Sequence, residues 1–237
     1  MLTVAILAGG LATRLHPTTE KIPKSLLDVN GEPFVAHQLR LLQSKGIRRV
    51  VLCVGHLGAL IKTAIGDGSA LGLQVDYSFD GPALLGTAGA IRKALPQLGD
   101  PFFVMYGDSY LPCDYAAITR NFESADALGM MTVFRNEGKW DASNVEFEAG
   151  KILAYSKSNW TPRMRHIDYG LGVFRAQAFE NLLAGKAYDL TEVYKDLLQR
   201  NQLAAFEVHE RFYEIGSPAG LRETAEFLAA REAKQES

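Results

Sequence analysis

An α/β fold, a mostly parallel mixed sheet flanked by helices and continued by a smaller antiparallel part, is what this chain of 237 residues predicts. Three observations carry that prediction. Thr3 to Ala8 is an unbroken apolar run stopped by Gly9-Gly10, the pattern of a strand buried on both faces. Strand and helix patterns then alternate as far as Tyr106, as in successive βαβ units with parallel strands. From Asp126 onward the strand runs lengthen, and Glu148-Ala149-Gly150-Lys151 reads as a hairpin turn.

The elements follow in order. After Asn30-Gly31, Pro33 opens a helix whose shared face is Phe34, Val35, Leu39 and Leu42, and Gly46 closes it. The spacing then predicts a strand at Arg49 to Gly55, a helix near Leu57 to Ile65, a strand at Leu73 to Phe79, a helix at Thr87 to Leu95 and a strand at Phe102 to Tyr106. In the second half, strands at Met130 to Phe134 and Ile167 to Arg175 flank the hairpin. Ser217-Pro218 supplies the cap and first turn of a closing helix at Leu221 to Ala230. No repeat or linker interrupts the chain. One domain over 1–237 is expected, with lobes at about 1–125 and about 126–237.

Composition narrows the function. With 47% hydrophobic residues, 22% charged residues and a formal net charge of −2, the chain has an ordinary globular make-up and is long enough to bury a sizeable core. Its 25 Lys and Arg against 27 Asp and Glu form no block of like charge, which argues against nucleic acid as a partner. Cys53 and Cys113 make neither a disulfide framework nor a zinc spacing and are expected to be reduced and buried. No apolar run approaches the roughly 20 residues that span a bilayer, and the first residues lack the basic flank of a secretory signal. A cytoplasmic protein without a membrane partner is the expectation, and homo-oligomerisation is left open.

Chemistry concentrates where strand one ends. Leu7-Ala8-Gly9-Gly10-Leu11-Ala12-Thr13-Arg14-Leu15-His16-Pro17 is followed by Pro23-Lys24-Ser25. Small residues let backbone N–H groups approach phosphate oxygens, Arg14 offers a forked donor, and Lys24 adds a compact positive charge. The glycine pattern is not the G-x-G-x-x-G of dinucleotide folds, and strand two ends in Val54-Gly55-His56 without the acid that such folds need. No G-x-x-x-x-G-K-[ST] loop is present. A second focus is Gly107-Asp108-Ser109, which puts a carboxylate at the carboxyl end of a buried strand, where open α/β sheets bind ligands and where a carboxylate can hold Mg²⁺. The five histidines form no metal spacing and no pairing with a nucleophile.

The two segments around Gly9-Gly10 and Lys24 resemble the signature of the sugar-phosphate nucleotidyltransferases, the nucleotide-sugar pyrophosphorylases, and the resemblance runs almost end to end. It implies a Rossmann-like fold with a nucleotide-binding lobe and a smaller sugar-binding lobe. The implied activity joins a nucleoside triphosphate and a sugar 1-phosphate into a nucleotide-diphosphate sugar, releasing pyrophosphate. By resemblance, Leu7, Ala8, Gly9, Gly10 and Thr13 hold the nucleotide, with Gly86 and Thr87 of Leu84-Leu85-Gly86-Thr87-Ala88-Gly89 beside the base. Arg14, Lys24 and Asp108 take the catalytic positions, and Asp108 with Glu214, in Tyr213-Glu214-Ile215-Gly216, takes the Mg²⁺ positions. Lys157, Asp168 and Gly170 match the sugar-phosphate side. Ala12, Ser156 and Glu214 depart from the family pattern, which has glycine, an acidic residue and aspartate there. The Leu85 to Gly89 run looks most like mannose- and heptose-type guanylyltransferases, so GTP with such a sugar 1-phosphate is the expected pair. The alternatives are a UTP- or CTP-dependent member acting on another sugar or alcohol phosphate, such as N-acetylmuramate 1-phosphate, or a non-catalytic nucleotide-sugar sensor. A glycosyltransferase would usually carry a D-x-D motif, whereas Asp108 is followed by Ser109-Tyr110.

Overall fold

The computed structural model describes residues 1–10 and 21–235. Thr13 and Arg14 lie outside the described residues. The first half runs β1 (Thr3–Leu7), β2 (Asp28–Val29), β3 (Glu32–Pro33), α1 (Phe34–Ser44), β4 (Arg49–Val54), α2 (Gly58–Ile65), β5 (Gln74–Phe79), α3 (Gly86–Leu98), β6 (Phe102–Tyr106), β7 (Ser109–Tyr110) and α4 (Tyr115–Glu123). The second half adds β8 (Gly129–Arg135), β9 (Val145–Glu148), β10 (Lys151–Tyr155), β11 (His166–Phe174), α5 (Leu190–Gln199), β12 (Leu203–Val208), β13 (Tyr213–Glu214) and α6 (Pro218–Gln235).

A nine-stranded sheet holds these elements together in the order β10-β9-β11-β6-β1-β4-β5, with β8 on β11 and β12 on β8. Strands β6, β1, β4 and β5 are parallel, as βαβ alternation requires. The second half joins through β6, whose residues Phe102 to Met105 pair antiparallel with Phe174 to Leu171 of β11. It is not wholly antiparallel, because β12 returns parallel to β8.

Strand β1 is buried on both faces because its side chains alternate between two cores. Val4 and Ile6 pack in one cluster with Leu39, Leu42, Phe103 and Ile118; Ala5 packs in the other with Val51, Ile91, Val104 and Phe174. Each such side chain contributes about 1.5–3 kcal/mol by leaving water. Helices α1 and α4 therefore cover one face, and α3 and α5 the other. A third cluster, around Val29, Phe34, Leu41, Ile215 and Leu228, fastens the closing helix α6 over α1.

Most boundaries agree with the sequence to within two residues. Helix α3 is longer than its pattern, running from Gly86 past Pro96 to Leu98, and α6 reaches from Pro218 to Gln235. Ser217 caps α6, its Oγ accepting the Gly220 amide at 3.0 Å. Helices α4 and α5 and strand β12 have no counterpart in the sequence reading. Both helices carry local start signals: Asp114 Oδ1 accepts the Ala117 amide, and Asp189 with Glu192 forms a capping box. Cys53 and Cys113 are free and buried, as expected.

Candidate active site

The carboxyl ends of β1, β4, β5 and β6 open into a cavity of about 270 Å³. Leu7, Ala8, Gly9, Gly10, Lys24, Gly86, Thr87 and Asp108, all predicted from the sequence, line it, together with Ser25, Asp80, Leu84, Tyr106 and Gly107. The fold explains this convergence. Gly107 N–H donates to Leu7 O at 3.0 Å where β6 leaves the sheet beside β1, and a Cβ on Gly107 would come within 2.6 Å of that same carbonyl. Only glycine allows the approach, and the next residue, Asp108, is thereby delivered to the mouth of β1.

Lys24 arrives from the other side, on a 3₁₀ turn at Lys24–Leu26, and its Nζ lies 2.6 Å from Asp108 Oδ2. Both side chains are only partly exposed. Glu214 reaches the same place through a two-residue ladder: Ser109 pairs with Glu214 across β7 and β13, and Ile215 N–H donates to Asp108 O at 2.9 Å. A Cβ on Gly216 would lie 3.5 Å from Lys24 Nζ and 3.6 Å from the Glu214 carboxylate, which places the two charged groups around one point. Residues 24, 108 and 214, separated widely in sequence, are thus one cluster. Ser25 Oγ beside it is buried and has no hydrogen-bond partner among the described residues.

Asp108, in the turn before β7, and Glu214, on the strand β13 that pairs with β7, supply hard oxygen donors. No group of three or more His, Cys, Asp or Glu arranged to hold a metal occurs among the described residues. Two carboxylates without a closed cage suit Mg²⁺, which prefers one or two protein carboxylates and takes its remaining ligands from phosphates and water. The residues present therefore fit that ion.

The two glycines of the Gly86 to Gly89 run are required by packing. Gly86 has φ +67°, and a Cβ there would meet Tyr188 O at 2.5 Å; one on Gly89 would meet Lys186 O at 2.6 Å. These glycines let α3 press against the backbone of 186–188. Gly86 still lines the cavity, but Gly89 does not. Leu85 holds the N-cap position of α3, and Thr87 Oγ1 accepts the Leu190 amide at the start of α5.

The three sugar-side residues meet around Tyr106 without lining the cavity. Lys157 Nζ lies 5.3 Å from the Tyr106 ring centre and 3.4 Å from its hydroxyl. A Cβ on Gly170 would touch the same ring at 3.4 Å. Asp168 is more enclosed than an open sugar ligand: its Oδ1 accepts the Gly170 amide and its Oδ2 the Tyr155 hydroxyl. Burial pushes the Asp168 carboxyl above the usual carboxylate range, with Lys157 pulling the other way. Burial likewise raises the Tyr106 hydroxyl well above the ordinary phenol range. Tyr106 was missed from sequence, although it both lines the cavity and carries Lys157 against its ring. So was Asp80, although it stands at the carboxyl end of β5 as Asp108 stands beyond the end of β6.

Comparison with known proteins identifies the family and the fold. Residues 3–231 match the model of the nucleotidyl transferase family. An N-acetylmuramate α-1-phosphate uridylyltransferase of Neisseria meningitidis is 30% identical over 231 residues, covering 95% of this chain and 97% of that protein. The catalytic subunit beta of mannose-1-phosphate guanylyltransferase from Xenopus tropicalis is 27% identical over 219 residues, and this match covers 90% of the chain but 61% of the relative. A solved Bacillus anthracis structure with sucrose bound shares the fold, with a TM-score of 0.84 at 22% identity over 97% of this chain and 95% of that one. Among the described residues no helix is long and apolar enough to cross a membrane.

Proposed function

The chain belongs to the nucleotidyl transferase family, and from that premise we propose that it joins a nucleoside triphosphate to a sugar 1-phosphate. The observation that carries this reading is the convergence of Lys24 and Asp108 at one end of a cavity that Gly9 and Gly10 also line, with Glu214 paired to Ser109 next to Asp108.

An oxygen of the sugar phosphate attacks the α-phosphorus, a new P–O–P link forms, the bond between the α- and β-phosphates breaks, and its electron pair leaves on pyrophosphate. No covalent enzyme residue is needed. The attacking phosphate has a second pKa near 6 and is largely a dianion at neutral pH, so no general base is needed either. What the protein must supply is alignment of two anions that repel each other and stabilisation of the charge that develops on the phosphates. Lys24 would act on the reacting phosphates and the backbone N–H groups of Gly9 and Gly10 on the triphosphate, the Ala8 N–H being donated to Cys53 O. Arg14, outside the described residues, is assigned to the leaving pyrophosphate. Asp108 and Glu214 would hold Mg²⁺, which when bound neutralises phosphate charge and clamps the two substrates. Lys157 is the cation on the sugar-phosphate side, with Asp168 and Gly170 shaping the wall behind Tyr106.

For the substrates, the expected pair is GTP with a mannose- or heptose-type 1-phosphate. The Neisseria relative, matched over nearly its whole length, supports UTP with an N-acetylmuramate-type phosphate as the second reading. A matrix of four triphosphates against mannose, heptose, glucose and N-acetylmuramate 1-phosphates, read by pyrophosphate release, decides between them. Release from no pair, despite nucleotide binding, overturns the catalytic reading and leaves a sensor.

A further inference from the structure

Helix α1 carries a buried amide that touches neither substrate side of the site. Gln38 is 0% exposed, on the face where Phe34, Val35 and Leu42 enter the core. Its Nε2 donates to Ser109 O at 2.8 Å and to Tyr106 O at 3.3 Å, the carbonyls on either side of Gly107-Asp108. Both neighbours are acceptors, so the amide presents its nitrogen to them. Its Oε1 has no hydrogen-bond partner among the described residues. Methionine or leucine would fill this space without leaving a buried acceptor unpaired. What glutamine adds is the pair of donors.

Those donors complete the fixing of one turn. Gly107 N–H donates to Leu7 O of β1, and Asp108 O accepts the Ile215 amide just beyond β13. Gln38 holds the two flanking carbonyls. The main chain around Asp108 is therefore tied to β1, to the end of β13 and to α1.

The same helix is fastened to the turn that carries Lys24. Phe34 N–H, in the first turn of α1, donates to Leu27 O at 2.9 Å, and Leu27 N–H closes the Lys24–Leu26 turn on Lys24 O. Four residues, about 6 Å of helix, separate that anchor from Gln38. Helix α1 thus joins the turn of the cation to the turn of the carboxylate. Their spacing matters because Lys24 Nζ lies 2.6 Å from Asp108 Oδ2, whereas Oδ1 accepts only the Ser109 hydroxyl, at 3.3 Å, among the described residues. A shift of either turn changes how much of the carboxylate a metal ion can reach. We propose that Gln38 is a positioning residue, which sets the Asp108 carboxylate relative to Lys24 and so tunes the affinity of the site for a divalent cation. This rests on the metal reading of Asp108 above and is independent of base, sugar and turnover.

Titration with Mn²⁺ alone, the free ion counted by electron paramagnetic resonance and Mg²⁺ read by competition, tests it without nucleotide. Gln38→Met keeps the length and the apolar stem and drops both donors. It is expected to bind Mn²⁺ about 10-fold more weakly than the wild type, as loss of an outer-shell partner does. His37→Gln controls for damage to α1, because His37 is also buried but its Nε2 meets Val29 O and not the turn. It is expected to lower Tm and to leave Mn²⁺ affinity unchanged. Wild-type affinity in Gln38→Met overturns the proposal, and so does an equal loss in His37→Gln, which would make the effect one of helix damage. Where Gln38→Met does not fold, Gln38→Asn is read instead. Its amide is one methylene shorter and cannot bridge both carbonyls, so a several-fold loss is expected and an unchanged affinity overturns the assignment. Asp108→Asn separates the two levels. Mn²⁺ binding as tight as the wild type in that variant, or none in the wild type, overturns the metal reading itself, whereas a loss there with none in Gln38→Met overturns the positioning role alone.

Discussion

Thr87 Oγ1 accepts the Leu190 amide at 2.6 Å, a bond that spans 103 residues and fixes the first turn of α3 to the first turn of α5. Helix α3 borders the nucleotide cavity, and α5 packs under the second half of the sheet. One hydroxyl therefore ties both halves at the level of the site.

Thr87→Val keeps the shape and removes the acceptor, leaving a partly buried N–H without a partner. The expected cost is about 1–3 kcal/mol, seen as a fall of several degrees in Tm. The loss should be accompanied by a raised KM for the triphosphate. An unchanged Tm would show that the Leu190 amide finds water instead.

Lys24→Ala and Arg14→Ala should each lower kcat by roughly 10²-fold or more while leaving the fold intact, as loss of one preorganised charge does. Asp108→Asn should abolish Mg²⁺-dependent turnover, because the amide keeps the shape without the charge. Glu214→Gln should require more Mg²⁺ for half-maximal rate, and Glu214→Asp should recover much of it. Glu214→Gln with a wild-type Mg²⁺ titration would remove Glu214 from the metal site.

Asp168 gives a stability test that needs no substrate. Its folded pKa is raised, burial being the main cause, so the unfolded chain ionises this group more readily than the folded one. Stability from this residue is complete below the unfolded carboxylate value and is lost as pH rises through the interval up to the folded one. Asp168→Asn removes that loss. The Tm of the variant minus that of the wild type should grow more positive from pH 3.5 to pH 7, by a few degrees in all. A difference independent of pH would mean that burial does not raise the Asp168 carboxyl.

The first half of the fold was readable because its signals are local and mutually consistent. Apolar runs of β-branched residues stop at glycine, helix α1 begins at proline, and the carboxyl ends of strands collect Gly9, Gly10 and Asp108. What stayed hidden depends on contacts between distant segments. Gly86 and Gly89 both face the 186–188 backbone, a partner about 100 residues away that nothing in their own segment announces. Tyr106 reads as the last residue of a strand, and nothing near it in sequence announces Lys157 over its ring. Helix α5 was legible in principle, since Asp189 and Glu192 spell a capping box, but its apolar face is short and follows a polar stretch.

The antiparallel seam between β6 and β11 has a mechanical consequence. Phe102 to Met105 are hydrogen-bonded to the nucleotide strand β1 on one edge and to β11 on the other. The end of β6 carries Tyr106, with the cavity on one side and Lys157 on the other. The two sides are thus two edges of a single strand, spaced by ladder geometry and not by a linker. Rotation of one half against the other would have to tear that ladder, so closing around the substrates falls to connecting segments and side chains. The spacing between the cavity and Lys157 is set when the sheet forms.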